Sequence, residues 1–191
     1  MPRPSVPGLS RSLLLLAMSV AVGSAVQGPL VARPAADPPP AANVVVAAAV
    51  KIAAAEHKVV WVHFGASWCG WCHKLDAMFA SAEVGPILAK HFVLTALTVD
   101  ESADKKALEN AGAAAYRDSL GAANAGLPYF AFLDAAGKKL GDSNSMPDGS
   151  NIGYPGNPKE DDAFMALLAE VSPSLTAAER ATIAAYIATH P

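Results

Sequence analysis

Apolar residues recur with a readable period from about residue 44 onward. Val44–His57, VVVAAAVKIAAAEH, is an alanine-rich run behind Asn43, a good N-cap, and predicts a helix. Val59–Phe64, VVWVHF, is a short apolar and aromatic run and predicts a buried strand. Gly65–Trp68 reads as a turn. Cys72–Leu88 then sets Leu75, Met78 and Phe79 at helical i, i+3, i+4 spacing, with Pro86 marking a break or a fresh turn. Phe92–Val99 predicts a second strand and Asp104–Tyr116 a helix. Ser119–Gly126 reads as a loop, Tyr129–Leu133 as a third strand, and Asp134–Gly137 as the turn into a fourth at Lys138–Gly141. Asp142–Pro158 is long, irregular and rich in Gly, Asn, Ser and Pro. Asp161–Val171 puts Phe164, Leu167, Leu168 and Val171 on one helical face. Thr176–Glu179 has capping-box form and opens a last helix with Ile183, Tyr186 and Ile187 inward.

A strand–helix–strand unit followed by a hairpin predicts an α/β fold: a mixed sheet of about four strands with helices on both faces. In open α/β sheets chemistry sits beyond strand C-termini. The two cysteines of the chain, Cys69 and Cys72, fall at that kind of place, where the first strand passes into its helix.

Composition adds little. The chain has 191 residues, 52% hydrophobic and 16% charged, with net charge −3. That gives no basic surface for nucleic acid. The N-terminus changes the picture more. Arg3 and Arg11 precede the apolar run Ser12–Val26, short for a membrane span, and Gly23-Ser24-Ala25 offers small residues for cleavage. We expect a signal peptide over 1–25, with an uncleaved anchor as the alternative; no cysteine follows the run to take a lipid. Residues 26–43, rich in Pro and Ala, read as a spacer. The expectation is a periplasmic or secreted protein, in an oxidising compartment.

Cys69-Gly70-Trp71-Cys72 has the spacing of a dithiol redox pair; with His73 it has that of a c-type haem anchor, for which Met78, Met146 and Met165 are possible axial ligands. Zinc also uses Cys-x-x-Cys but wants four ligands, and only His73 and distant histidines are at hand. Asp142, Asn144 and Asp148 do not match an EF-hand pattern. The β-type run leading straight into the pair favours the dithiol. A Cys69 at the helix N-terminus faces unpaired N–H groups and the positive end of the helix dipole, which lower its thiol pKa from about 8.5. Cys72, one turn inside, is placed to resolve a mixed disulfide. Gly70 allows close approach of a partner. Trp71 offers an apolar surface, and Trp68 packs under the loop or stands as ordinary packing.

The stretch VVWVHFGASWCGWCHKLDAMF resembles the active-site strand, loop and helix of the thioredoxin superfamily, and GLPYFAFLD its second element, with Pro128 in the cis-Pro position after Leu127. The resemblance implies a thioredoxin fold over 44–172 with an extra C-terminal helix in 173–191. It implies a thiol–disulfide oxidoreductase whose only redox group is the Cys69–Cys72 disulfide, with no metal and no other cofactor. Leu127 and Pro128 then shape the substrate groove, with Trp68, Gly70 and Trp71 around it. The family's buried acid falls on His63, a candidate proton acceptor, and the lysine that pairs with that acid falls near Ala96. The helix after the motif resembles the exported reductase branch, which favours reduction. Expected partners are disulfide-bearing proteins and a membrane electron-donor reductase, with the chain itself a monomer. A non-catalytic binding module on the same fold stays open beside the haem reading.

Overall fold

The computed structural model describes residues 37–191. The expected signal peptide over 1–25 lies outside them, as does most of the 26–43 spacer. Four strands, β1 (Val59–Gly65), β2 (Phe92–Thr98), β3 (Tyr129–Leu133) and β4 (Lys139–Asp142), form one sheet in the order β2-β1-β3-β4. β1 pairs parallel with β2 and antiparallel with β3, and β3 pairs antiparallel with β4. This is the mixed sheet predicted from the element order. Six α-helices flank it among the described residues: α1 (Ala42–Glu56), α2 (Gly70–Ala80), α3 (Gly85–His91), α4 (Ala113–Ser119), α5 (Pro158–Val171) and α6 (Ala177–Thr189).

Side chains alternate across a strand, and the two cores follow that rule. Val60, Val62 and Phe64 of β1 join Tyr129, Ala131 and Leu133 of β3 under α1. Trp61 joins Phe130 and Phe132 on the other face, with α2, α3, α5 and α6. Trp61 is wholly buried among Phe79, Phe92, Phe130, Phe132 and Phe164, with ring centroids 4.8–5.9 Å away. Truncating a buried aromatic of this kind costs roughly 3–5 kcal/mol.

Two local expectations need correction, and one open reading is decided. α1 begins at Ala42 with Ala41 as N-cap, and Asn43 lies inside the first turn, its Oδ1 held by the adjacent Val44 N–H. The Cys72–Leu88 stretch breaks, as Pro86 allowed, into two helices, α2 and α3. The Gly85 backbone packs so closely on the Phe79 carbonyl that a Cβ there would sit 2.5 Å from it, and Pro86 starts the new helix. The Asp104–Tyr116 helix is likewise divided into a 3-10 segment, Ala103–Leu108, and α4, with Gly112 at positive φ between them.

The capping box of α6 is present, Thr176 and Glu179 each bonding the other's backbone N–H. Glu179 also reaches across to α3, where Lys90 Nζ lies at 2.7 Å and His91 Nε2 at 3.1 Å. Leu175, Ile183, Tyr186 and Ile187 enter the Trp61 core, so α6 shares that core with the sheet.

The Lys90 ammonium, then the Thr176 backbone N–H, hydroxyl and His91, hold Glu179 far below its ordinary value of 4.5. A depressed carboxylate stabilises the fold above its unfolded pKa, and that contribution fades as the pH falls through the acid range. Glu179→Gln keeps the box geometry and removes the charge. In urea unfolding it should be less stable than the parent at about pH 7, with the gap beginning to narrow only as the pH falls below the ordinary carboxylate value of 4.5. Equal midpoints at neutral pH would contradict the assignment.

Candidate active site

Gly65 ends β1, and the chain turns through Ala66–Trp68 into α2, with Cys69 as the N-cap. Cys69 and Cys72 are joined as a disulfide, and both are buried. Cys69 Sγ accepts the Cys72 backbone N–H at 3.1 Å. A free N–H of the first helical turn is therefore aimed at this sulfur, an arrangement that favours a thiolate there.

The approach loop is pinned to the segment after β2. Ser67 donates its N–H to Glu101 Oε1 at 2.6 Å and its hydroxyl to Oε2 at 2.8 Å. Glu101 is only 4% exposed. Lys105 Nζ adds a bond to Ser67 Oγ at 3.2 Å. Trp68 does not pack under the loop: the residue is 59% exposed, its ring tethered by Nε1–H to the Asp100 carbonyl at 2.9 Å. Asp100 has φ 54°, a conformation Asp tolerates, and its carboxylate pairs with Arg117.

His63 lies on the Trp61 face of β1, paired with Ala96 of β2. Its Nε2 meets Asp76 Oδ1 at 3.1 Å, and its Nδ1 is buried without a partner. The bond to His63 holds Asp76 below the usual carboxylate range. Sequence reading missed Asp76; its signal was the i+4 spacing from Cys72 on one helix face. Gly65 explains how the two groups come together. A Cβ there would lie 3.2 Å from Cys72 Sγ and 3.9 Å from His63 Cδ2. A cavity of about 300 Å³ is lined by Cys72, His63, His73, Asp76, Ser67 and Glu101 among others. His73 Nε2 lies 3.1 Å from the Ser67 carbonyl.

On another side of the disulfide, Leu127 packs on the cysteines, and the Leu127–Pro128 peptide is cis. Leu127, Pro128 and Trp71 line a groove of about 430 Å³ together with Asn151, Gly153, Tyr154 and Glu160. The last four belong to the 142–158 loop and the start of α5, which the motif had not tied to the cysteines. Trp71, 49% exposed, stacks on Tyr154 and rests on Gly156, where a Cβ would come within 3.1 Å of the indole. Burial pushes the Tyr154 hydroxyl up to about 12. Trp68 and Gly70 do not line this groove. Met78 is buried in the Trp61 core, with Met146 and Met165 packed against that core rather than against the cysteines. In the long loop, Asp142 is engaged by Lys139 and Asp148 by Ser150.

Ser67→Ala removes one donor from a buried carboxylate. It should cost roughly 1.5–3 kcal/mol of stability in urea unfolding. A loss below a few tenths would show that Glu101 does not depend on the serine.

Residues 42–135 match the family model described as thioredoxin-like. No curated protein matches the chain significantly. Among solved structures, a disulphide isomerase from Xylella fastidiosa Temecula1 is 17% identical over 78% of this chain and 89% of its own, with TM-score 0.47. A protein described as a DsbH oxidoreductase is 22% identical over 64% and 82%, with TM-score 0.38. An exposed lipoprotein thioredoxin from Streptococcus pneumoniae strain TIGR4 is 17% identical over 64% and 87%, with TM-score 0.37. These are distant likenesses.

Proposed function

Since residues 42–135 are a thioredoxin-like domain with a closed Cys-Gly-Trp-Cys pair, we propose that this chain is an exported disulfide reductase. The observation that carries the chemistry is the Cys72 N–H directed at Cys69 Sγ from the first turn of α2. It supports Cys69 as the nucleophile. In the reduced protein, the Cys69 thiolate attacks one sulfur of a substrate disulfide. That bond breaks, a mixed disulfide forms, and the first substrate thiolate leaves. Cys72 then gives up its proton and attacks Cys69 Sγ, releasing the second thiolate and closing the protein disulfide. Two electrons pass from the protein dithiol to the substrate.

His63 and Asp76 take the Cys72 proton in this reading. What supports this is that a Cβ on Gly65 would touch both Cys72 Sγ and the His63 ring, with Asp76 bonded to that imidazole at Nε2. Asp76 bonds to Nε2 and so favours the tautomer that bears its proton there, leaving Nδ1 as the bare nitrogen. Reduction as the direction, export and a membrane reductase as electron donor rest on the sequence: the helix after the motif, the aliphatic Leu127, and the Ser12–Val26 run behind its arginines. Among the described residues no helix is long and apolar enough to cross a membrane.

Cys69→Ser should abolish exchange. Cys72→Ser should accumulate a covalent adduct with substrate, visible on non-reducing gels. Trapping by the Cys69 variant instead would invert the two roles. His63→Ala should slow resolution of the mixed disulfide and alter its pH profile between about pH 6 and 8; exchange kinetics unchanged across that window would remove His63 from the mechanism.

A further inference from the structure

The chemistry above leaves the 142–158 loop without a task, yet the loop is tied to the groove by one side chain. Asn151 Nδ2 donates to the Gly126 carbonyl at 2.8 Å and to the Pro128 carbonyl at 3.1 Å. Its Oδ1 accepts the Gly153 N–H at 3.1 Å. Two carbonyls on one side and an N–H on the other leave a single sensible orientation for the amide. Gly153, at φ 60°, lies against the proline ring: a Cβ there would sit 3.6 Å from Pro128 Cδ. The carbonyls that Asn151 occupies flank Leu127 on both sides. No hydrogen bond in this region uses the N–H or carbonyl of Leu127 itself.

An extended polypeptide docks on an exposed backbone edge through main-chain hydrogen bonds. Here that edge has been narrowed. With its neighbours' carbonyls capped, Leu127 is the residue whose backbone groups are left to pair with an incoming chain. Trp71 and Tyr154 wall the groove beside it. We propose that Asn151 is a positioning residue for polypeptide substrates: it fixes the Gly126–Pro128 edge so that a disulfide-bearing extended segment registers on Leu127 above the cysteines. This rests on the reading of Cys69–Cys72 as an exchanging pair. A small disulfide reacts without pairing to that edge and is indifferent to Asn151.

The loop has other anchors, so the residue can be altered without releasing it. The Ile152 N–H bonds the Ser143 carbonyl at 2.7 Å, and the Ser143 N–H bonds the Phe130 carbonyl at 2.9 Å. Ser143 Oγ accepts the Phe130 N–H at 3.0 Å.

The test uses the full chain, pre-reduced and mixed under single-turnover conditions with either insulin or dithiobis(nitrobenzoate). Each reaction turns the protein dithiol to disulfide and the substrate disulfide to two thiols, with no other reductant. Asn151→Ala should lower the second-order rate with insulin about tenfold, the scale of one to two lost hydrogen bonds. The rate with the small disulfide, and the equilibrium constant of the cysteine pair with glutathione, should stay within about twofold. Asn151→Asp keeps the acceptor for Gly153 and sets a carboxylate against the two carbonyls, so it should show the same split if the alanine variant folds poorly. Equal losses on both substrates, or no loss on insulin, would overturn the proposal. A parent protein inactive on both substrates would overturn the reductase reading instead.

Discussion

β1 lies inside the sheet with both faces covered, and its two-residue period decides what each neighbouring element meets. Even positions from Val60 to Phe64 build the core beneath α1. Odd positions face α2, and they are three different things in turn: Trp61 is the hub of the aromatic cluster, His63 carries the only buried imidazole on that strand, and Gly65 has no side chain at all. A slip of one residue would put Phe64 where Cys72 Sγ lies and turn His63 into the opposite core. The aromatic cluster therefore does more than stabilise. By fixing the phase of β1 through Trp61, it fixes which groups stand beside the disulfide.

The helix that follows inherits that phase. Cys69 caps α2, Cys72 sits one turn in against Gly65, and Asp76 a further turn on meets His63. One acid is thus moved from the strand, where the thioredoxin resemblance would place it, to the helix, with an imidazole between it and the strand backbone. The loop leading into the helix is fixed separately, by Glu101 through Ser67 and by Asp100 through Trp68. A nucleophile at a helix N-terminus needs the chain before it held as firmly as the chain after it, since both set where the sulfur lies relative to the N–H groups.

The strands and the mixed character of their sheet were legible because their apolar runs are short, bounded by turn residues, and include a pair that a crossover helix joins. Tyr129–Leu133 was read to the residue. The α6 capping box was legible because both of its bonds are local. What was harder to read depends on local backbone packing and on contacts between distant segments. Pro86 flagged a break after Ser81–Val84, but the Gly85 backbone against the Phe79 carbonyl, which fixes where the chain turns, was not visible. Composition from Asp104 to Tyr116 favours helix throughout, and Gly112 divides it. In the site, Cys69, Cys72, Leu127 and Pro128 were signalled by motif. Asp76, Glu101, Asn151 and Tyr154 were not, because each acts through a partner ten or more residues away in sequence.

The cavity beside Cys72 and the groove beside Leu127 share no lining residue. One is bordered by imidazoles and carboxylates, the other by an indole, a phenol and exposed backbone. Cys72 lines the first, while the second reaches the cysteines only through Leu127, which packs on them. Under the proposed chemistry, a chain lying along the groove would leave the cavity beside Cys72 uncovered. Proton traffic and substrate traffic then need not wait for each other.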